Sequence, residues 1–197
     1  MLYDDALRIA EYYVEHLRPA CTRIEIKGSI SRGKSEPNDI EMLAIPDFTH
    51  IPGRKIEFGK PIPKTYKTYL DMLIDEMITS GICYEKARGE KYKKMWLIEE
   101  RVQVDLFLVT PPAEWGVLSV IRTGPSDFSH WMVTRNSQGG ALPDEYIVQD
   151  GAIGQRVRGD KGYTRQGVIS MPWEIDFFKL CGLDWIEPSQ RMARWSK

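Results

Sequence analysis

Carboxylates placed inside two strand-like apolar segments constrain the fold of this 197-residue chain more than any other feature. The segment D-I-E-M-L-A-I begins at Asp39, and the segment V-Q-V-D-L-F-L-V contains Asp105. Side chains alternate between the two faces of a strand, so Asp39 and Glu41 project from the same side. In the second segment, alternation places the apolar residues on one face and Asp105 on the other. An isolated carboxylate in an apolar strand is costly unless something compensates it.

Three carboxylates that converge on one site require a cation. At a separation of about 5 Å, each pair repels by about 3 kcal/mol at an effective dielectric of about 20. Mg²⁺ prefers oxygen ligands, and two such ions about 4 Å apart activate an attacking hydroxyl and stabilise a leaving pyrophosphate. Asp39, Glu41 and Asp105 are therefore predicted to be metal ligands and catalytic residues. The alternative interpretation is that they are ordinary charges at the rim of a sheet.

A glycine-containing turn precedes the first acidic strand. Gly28 and Ser29 directly follow the alternating segment T-R-I-E-I-K, and Arg32 and Gly33 come next. The glycines let the backbone approach a ligand, while the hydroxyl, free amides and guanidinium suit phosphate oxygens. The turn lies ten residues before the D-x-E pair, so a triphosphate bound there would reach the metal site. The same pattern is also common in turns that are only structural.

Hydrophobic periodicity predicts an α+β fold with a mixed β-sheet. A helix is expected at residues 4–18, with Asp4 as its cap, and the segments 92–98 and 102–109 are expected to form an antiparallel hairpin. The strand that begins at Asp39 is expected to lie inside the sheet because its apolar residues occupy both faces. The other expected elements are a helix at 69–80 closed by Gly81, a surface loop at 46–67, helices near 121, 128–132 and 173–180, a strand at 145–148, and a glycine-rich basic stretch at 151–167.

Composition favours a globular protein without a bulk electrostatic partner. The formal net charge is −1, and the cysteines Cys21, Cys83 and Cys181 show neither disulfide nor zinc-ligand spacing. The acidic N-terminus and the absence of a long apolar run predict no membrane association and a cytoplasmic location. Local basic runs keep polyanion binding open. They contain Arg54, Lys55, Lys60, Lys64 and Lys67; Lys86, Arg88, Lys91, Lys93 and Lys94; and Arg156, Arg158, Lys161 and Arg165.

Further motifs make the chain resemble family X DNA polymerases of the nucleotidyltransferase superfamily. Residues 28–41 match the pattern G-S-x-x-R-G…D-x-D/E. The later matches are V-D-L-F-L-V at 104–109, W-G-V-L at 115–118, T-G-P-S-D-F at 123–128 and G-L-D-W-I-E-P-S-Q-R at 182–191. They resemble the family's third-carboxylate strand, its hinge between palm and thumb, and its thumb terminus. The resemblance implies a nucleotidyltransferase palm at 1–112 and a small thumb-like domain at 113–197.

The resemblance implies an enzyme that adds nucleotides from dNTPs or NTPs to a DNA 3′ hydroxyl, in gap filling or repair. Asp39, Glu41 and Asp105 would bind two Mg²⁺ ions, with Mn²⁺ as a substitute. The partners of this expected monomer would be nucleoside triphosphates and primer-template, gapped or nicked DNA. The implied nucleotide-binding residues are Gly28, Ser29, Arg32, Gly33, Thr123, Gly124 and Phe128. The implied nucleic-acid-binding residues are Lys91, Lys93, Lys94 and Trp131.

Departures from the family pattern limit what is carried over. The 27 residues before the turn are too few for the lyase and fingers domains of larger members, so lyase activity is not implied. Ser119 and Val120 stand where the family often has an aromatic pair, which leaves sugar discrimination open. Ser129 stands where an asparagine is common.

Two other functions fit the same sequence. One is transfer of a nucleotide to a protein, a small molecule or an RNA end, since other branches of the superfamily share the turn and the D-x-E pair. The other is a non-catalytic module that binds DNA ends and keeps the fold. The acidic triad argues against the second alternative.

Overall fold

The computed structural model describes residues 1–48, 67–160 and 162–194, which form two compact units. The first unit comprises residues 1–26 and 36–108, and the second comprises residues 27–35 and 109–197. The Gly-Ser turn groups with the second unit, and the division at 112 into palm and thumb-like domains stays a prediction. Of the predicted loop at 46–67, residues 49–66 lie outside the described residues, and with them the basic residues Arg54, Lys55, Lys60 and Lys64.

The described chain contains both helices and a mixed sheet, which confirms the predicted α+β class. The helices are α1 (Tyr3–Leu17), α2 (Gly28–Ser31), α3 (Tyr69–Thr79), α4 (Trp115–Thr123), α5 (Ser126–Val133) and α6 (Glu174–Leu180). The strands are β1 (Cys21–Lys27), β2 (Asp39–Pro46), β3 (Cys83–Arg88), β4 (Tyr92–Leu97), β5 (Val102–Leu108), β6 (Tyr146–Gln149), β7 (Ala152–Gly159) and β8 (Gly162–Ile169).

The first unit is built on a five-stranded sheet with the order β1-β2-β5-β4-β3. Strands β2 and β5 are parallel, whereas β4 is antiparallel to both of its neighbours. The predicted hairpin of β4 and β5 is confirmed, and so is the internal position of β2, whose residues Met42, Leu43 and Ala44 are fully buried. Strand β3 was not predicted, because its residues after Cys83 are exposed and show no apolar alternation.

Two amphipathic helices pack on this sheet. Helix α1 contacts β2 and buries an apolar stripe that includes Ile9, Tyr13 and Leu17. Its N-cap is Leu2, so the prediction of Asp4 as the cap is wrong. Asp4 lies in the first turn, where its negative charge interacts favourably with the positive end of the helix dipole. Helix α3 contacts β3 and begins with a capping box, in which Thr68 and the third helical residue cap each other.

Alternation along β4 assigns the two faces of the sheet. Lys93, Met95 and Leu97 are buried, and Lys93 forms an ion pair with Asp71 of α3, so this face lies beneath that helix. The intervening residues, among them Lys94, are only half-buried and belong to the opposite face. The carboxylates of β2 and β5 lie on this second, more open face, because residues paired across neighbouring strands point to the same side.

The second unit combines helices α4, α5 and α6 with a three-stranded antiparallel sheet of order β6-β7-β8. Its core is a single apolar cluster. The buried members are Val117, Val120, Phe128, Trp131, Met132, Ala141, Leu142, Ile153, Met171, Phe177 and Phe178. Gly116 of the W-G-V-L motif is required by packing, since a Cβ there would lie 2.2 Å from the Trp173 carbonyl oxygen.

Candidate active site

The acidic face of the first unit is set by the register of two parallel strands. Asp39 pairs with Gln103, and Glu41 pairs with Asp105. Paired residues of neighbouring strands lie about 5 Å apart and project to the same side. The structure therefore brings all three predicted carboxylates onto one face of adjacent strands. Asp39 and Glu41 are half-buried, whereas Asp105 is 8% exposed.

Asp105 is held by donors from its own strand and from β4. The Tyr92 hydroxyl donates to Asp105 Oδ1 at 2.7 Å, and Gln103 Nε2 donates to Asp105 Oδ2 at 3.1 Å. Lys94 Nζ lies 3.8 Å from Asp105 Oδ1. One cation and two neutral donors thus compensate this carboxylate. They offset the desolvation free energy of placing it in an apolar strand.

The three acids provide suitable donors for a hard divalent cation but are not assembled as a metal site. All of their side-chain donors are carboxylate oxygens, the ligands that Mg²⁺ prefers. Within residues 1–48, 67–160 and 162–194, however, no group of three or more His, Cys, Asp or Glu residues is arranged to hold a metal ion. Binding would require Asp105 to exchange donors such as Tyr92 for the ion. This exchange needs only a rearrangement of side chains on one sheet face. The three carboxylates therefore fit Mg²⁺ as a donor set.

The Gly-Ser turn forms the single-turn helix α2 in the second unit. Gly28 and Gly33 both have φ near +68°, a conformation that favours glycine. Ser29 is 7% exposed, and its hydroxyl oxygen has no hydrogen-bond partner in the part of the chain that the structure describes. Arg32 donates from Nη1 to the carbonyl oxygen of Thr123 at 2.8 Å. A buried hydroxyl without a partner is costly, and a phosphate oxygen would satisfy it.

A buried polar network in the same unit includes Lys27, the residue that precedes the turn. Lys27 Nζ donates to Ser119 Oγ at 2.8 Å, and Ser119 Oγ donates to Glu174 Oε1 at 3.2 Å. Arg191 donates to both carboxylate oxygens of Glu174, at 2.9 and 2.8 Å. Burial would raise the pKa of Glu174, but the hydrogen bonds and charge of Arg191, together with Lys27 and Trp185, lower that pKa.

Three of the predicted nucleotide-binding residues serve the core of the second unit. Phe128 is fully buried in the apolar cluster, and Thr123 is 2% exposed. Gly124 leaves room for Phe128, because a Cβ there would lie 2.5 Å from the Phe128 ring. The prediction that Phe128 contacts a nucleotide is therefore corrected, and Thr123 contributes its carbonyl oxygen to Arg32 rather than a side chain to a ligand. Gly28, Ser29, Arg32 and Gly33 remain candidates.

Of the predicted nucleic-acid-binding residues, two are buried and two are accessible. Trp131 is 4% exposed and belongs to the apolar cluster, and Lys93 is 4% exposed in its ion pair with Asp71. Neither side chain is available to a nucleic acid, so both predictions are corrected. Lys91 is exposed in the turn between β3 and β4, and Lys94 lies on the acidic face next to Asp105.

Sequence reasoning missed Tyr92 and Gln103, which hold Asp105, and the network of Lys27, Glu174 and Arg191. Strand alternation contained the signal for Tyr92 and Gln103, since both share a face with Asp105 once the hairpin register is known. No local pattern links Lys27 to Glu174, which is far away along the chain.

Comparison with protein-family models finds no family that matches the chain, and comparison with curated proteins finds no match either. Within the described residues, no helix has both the length and the apolar character that crossing a membrane requires.

Proposed function

We propose that the protein is a nucleotidyltransferase that joins a nucleoside monophosphate from a triphosphate to a DNA 3′ hydroxyl. One observation carries the proposal: Glu41 and Asp105 are register partners on adjacent parallel strands, and Asp39 shares their face. Carboxylates from neighbouring strands on one open face suit chemistry that depends on hard divalent cations. The sequence resemblance to family X DNA polymerases supports the same reaction.

Asp39, Glu41 and Asp105 would hold the Mg²⁺ ions. When bound, these ions would neutralise charge on the phosphates and make the attacking hydroxyl easier to deprotonate. Gln103 would keep the Asp105 carboxylate oriented after the Tyr92 hydroxyl gives way to an ion. The protein therefore supplies position and charge stabilisation rather than a covalent intermediate.

The turn in the second unit is proposed to bind the triphosphate. The Ser29 hydroxyl needs a hydrogen-bond partner, and Arg32, three residues later in the same turn, supplies a guanidinium. Charge-assisted hydrogen bonds to phosphate are stronger than neutral ones, so Arg32 would dominate this contact.

The proposed reaction is an in-line displacement at phosphorus. The 3′ oxygen of the acceptor forms a bond to the α-phosphorus, and the bond from that phosphorus to the bridging oxygen of the pyrophosphate breaks. The proton of the hydroxyl passes to Asp105, the carboxylate proposed to lie nearest the acceptor. Pyrophosphate leaves with the electron pair of the broken bond.

Extension assays test the proposal directly. The purified protein is incubated with gapped and blunt primers, each dNTP and each NTP, and either Mg²⁺ or Mn²⁺. We expect primer extension that EDTA abolishes. Label from ATP transferred without any DNA would instead identify a non-DNA acceptor, and DNA binding without any transfer would identify a non-catalytic module. A role in gap filling or repair and a cytoplasmic location belong to the same proposal.

A further inference from the structure

Three arginines and a tyrosine share one face of the β7–β8 hairpin in the second unit. Arg156 pairs with Arg165, and Arg158 pairs with Tyr163. Cross-strand partners project to the same side, and residues two apart along a strand share a face. All four side chains therefore lie on one side of the hairpin, which we call the arginine face.

The arginine face is accessible. Arg158 is exposed, Arg156 and Arg165 are half-exposed, and Tyr163 is 53% exposed. The guanidinium carbon of Arg156 lies 3.3 Å from the centroid of the Tyr163 ring, a cation–π contact that holds both side chains in place. The face is thus both open and partly ordered.

The positive charges of this face are not neutralised within the described chain. None of the three guanidinium groups forms an ion pair with a carboxylate of the described residues. Arg165 donates to the carbonyl oxygen of Gly167, but its buried Nε atom has no hydrogen-bond partner there. Like charges placed directly opposite each other destabilise a pair of strands, so Arg156 and Arg165 weaken the hairpin unless an anion lies between or above them.

Asp144 is a carboxylate whose charge Arg156 influences, but its Oδ1 atom already accepts hydrogen bonds from Ser137. Hydrogen bonds from the side chain and backbone of Ser137 are the main cause of its lowered pKa, and Arg156 contributes only a longer-range attraction. The charge of Arg156 therefore remains available to a ligand.

We propose that the arginine face binds the phosphodiester backbone of DNA. Arg156 and Arg165 lie about 5 Å apart across the hairpin, and Arg156 and Arg158 lie about 7 Å apart along one strand, so the three charges form a flat patch rather than one pocket. A patch of separate charges suits successive phosphates of a chain better than a single small anion, and arginine binds phosphate oxygens through two parallel hydrogen bonds. The exposed ring of Tyr163 adds a surface on which a base stacks. The choice of DNA as the polyanion rests on the proposed function.

Binding measured without catalysis tests this inference. Fluorescence anisotropy follows a labelled gapped duplex in EDTA and without nucleotide, over salt concentrations of about 50 to 200 mM. The triple variant Arg156→Gln, Arg158→Gln, Arg165→Gln should lose at least about tenfold in affinity. Its slope of log affinity against log salt should fall by about 2 to 3, since about one counterion is released per phosphate contact.

Two matched variants separate the arginine face from charge in general. A triple arginine-to-lysine variant at the same positions should keep most of the affinity and the slope, because lysine also binds phosphate as a point charge. The control Arg8→Gln, Arg18→Gln, Arg101→Gln removes three exposed charges from the first unit and should change the slope by less than about 1. Circular dichroism establishes that each variant is folded.

Several results would overturn the inference. The first two are a folded glutamine variant with wild-type DNA affinity and salt slope, and a first-unit control that loses as much DNA affinity as that variant. The other two are a wild type that does not bind DNA at low salt, and a wild type that binds phosphatidylserine vesicles in preference to DNA. The proposed function is judged separately. If the protein is inactive but its DNA binding depends on the arginine face, the inference stands and the proposed function fails. If the protein is an active polymerase but its glutamine variant binds DNA normally, only the inference fails.

Discussion

Glu41 lies directly opposite Asp105 in the parallel pairing of β2 and β5. Two carboxylates in register, with Asp39 on the same face, form a concentration of negative charge that the described structure offsets at Asp105 with Tyr92, Gln103 and Lys94. A face with this composition can exchange internal donors for a bound cation.

Ser29→Ala should weaken triphosphate binding without weakening the fold. The Ser29 hydroxyl is buried and has no hydrogen-bond partner among the described residues. Its removal therefore breaks no hydrogen bond and eliminates the cost of an unsatisfied buried polar group. We expect KM for the triphosphate to rise about five- to tenfold, and the free energy of unfolding to stay equal or rise by up to about 1 kcal/mol. Steady-state kinetics and urea denaturation provide the two readouts.

Ser119→Ala is the matched control for this prediction. Its hydroxyl accepts from Lys27 and donates to Glu174, so the variant should be less stable by about 1 to 3 kcal/mol. Equal stability losses in the two serine variants would show that the Ser29 hydroxyl is satisfied within the protein.

Asp71→Asn should destabilise the first unit far more than Asp75→Asn on the same helix. Asp71 neutralises Lys93, whose side chain is 5% exposed, so the variant leaves a buried ammonium without its partner. We expect a loss of about 3 kcal/mol for Asp71→Asn. Asp75 pairs with Lys67 and Arg88 at the surface, where such pairs contribute less than about 1 kcal/mol.

Urea denaturation of both variants compares these losses. Equal effects would mean that Lys93 finds another partner or reaches solvent, and would restore Lys93 as a candidate for nucleic-acid contact.

Glu174 should make the stability of the second unit depend on pH in the acid range. Burial alone would raise its pKa, but the hydrogen bonds and charge of Arg191, with smaller contributions from Lys27 and Trp185, together lower that pKa in the folded state. A lowered pKa contributes stability above the ordinary value of about 4.3, and this contribution is lost as pH falls through the lower folded value. Glu174→Gln should therefore cost about 3 kcal/mol near neutral pH, and the difference from wild type should shrink below about pH 4.

Denaturation curves recorded from about pH 3 to pH 7 measure this difference. A gap between wild type and Glu174→Gln that stays constant across the range would exclude a charged Glu174 as the partner of Arg191.

Alternation and helical spacing were sufficient to predict every strand of the first-unit sheet except β3, and every helix except the single-turn α2. The hairpin of β4 and β5 and the internal position of β2 follow from apolar periodicity, which depends only on local sequence. Strands β7 and β8 were missed because their glycines and arginines hide the alternation; both faces of the outer hairpin are largely exposed, so no apolar face marks it.

The candidate site was predicted less completely than the fold. The face shared by Asp39 and Glu41 follows from strand geometry, but their pairing with Asp105 depends on a register that only the folded chain defines. Phe128 and Trp131 were assigned to ligands by resemblance, although their spacing of three along α5 is that of a buried helix face. Lys93 lies two residues before the apolar Met95 and shares its strand face, so alternation favoured a buried position for Lys93.

The most direct test of the central claim is the metal dependence of Asp105→Asn. This variant keeps the size of the side chain and removes its charge, so we predict that the fold is retained, that Mn²⁺ binding measured by electron paramagnetic resonance weakens at least about tenfold, and that primer extension is abolished. Asp4→Asn, an exposed carboxamide substitution on α1, should leave both activities unchanged. Wild-type Mn²⁺ binding and primer extension by Asp105→Asn would contradict the assignment of the three carboxylates as the metal site.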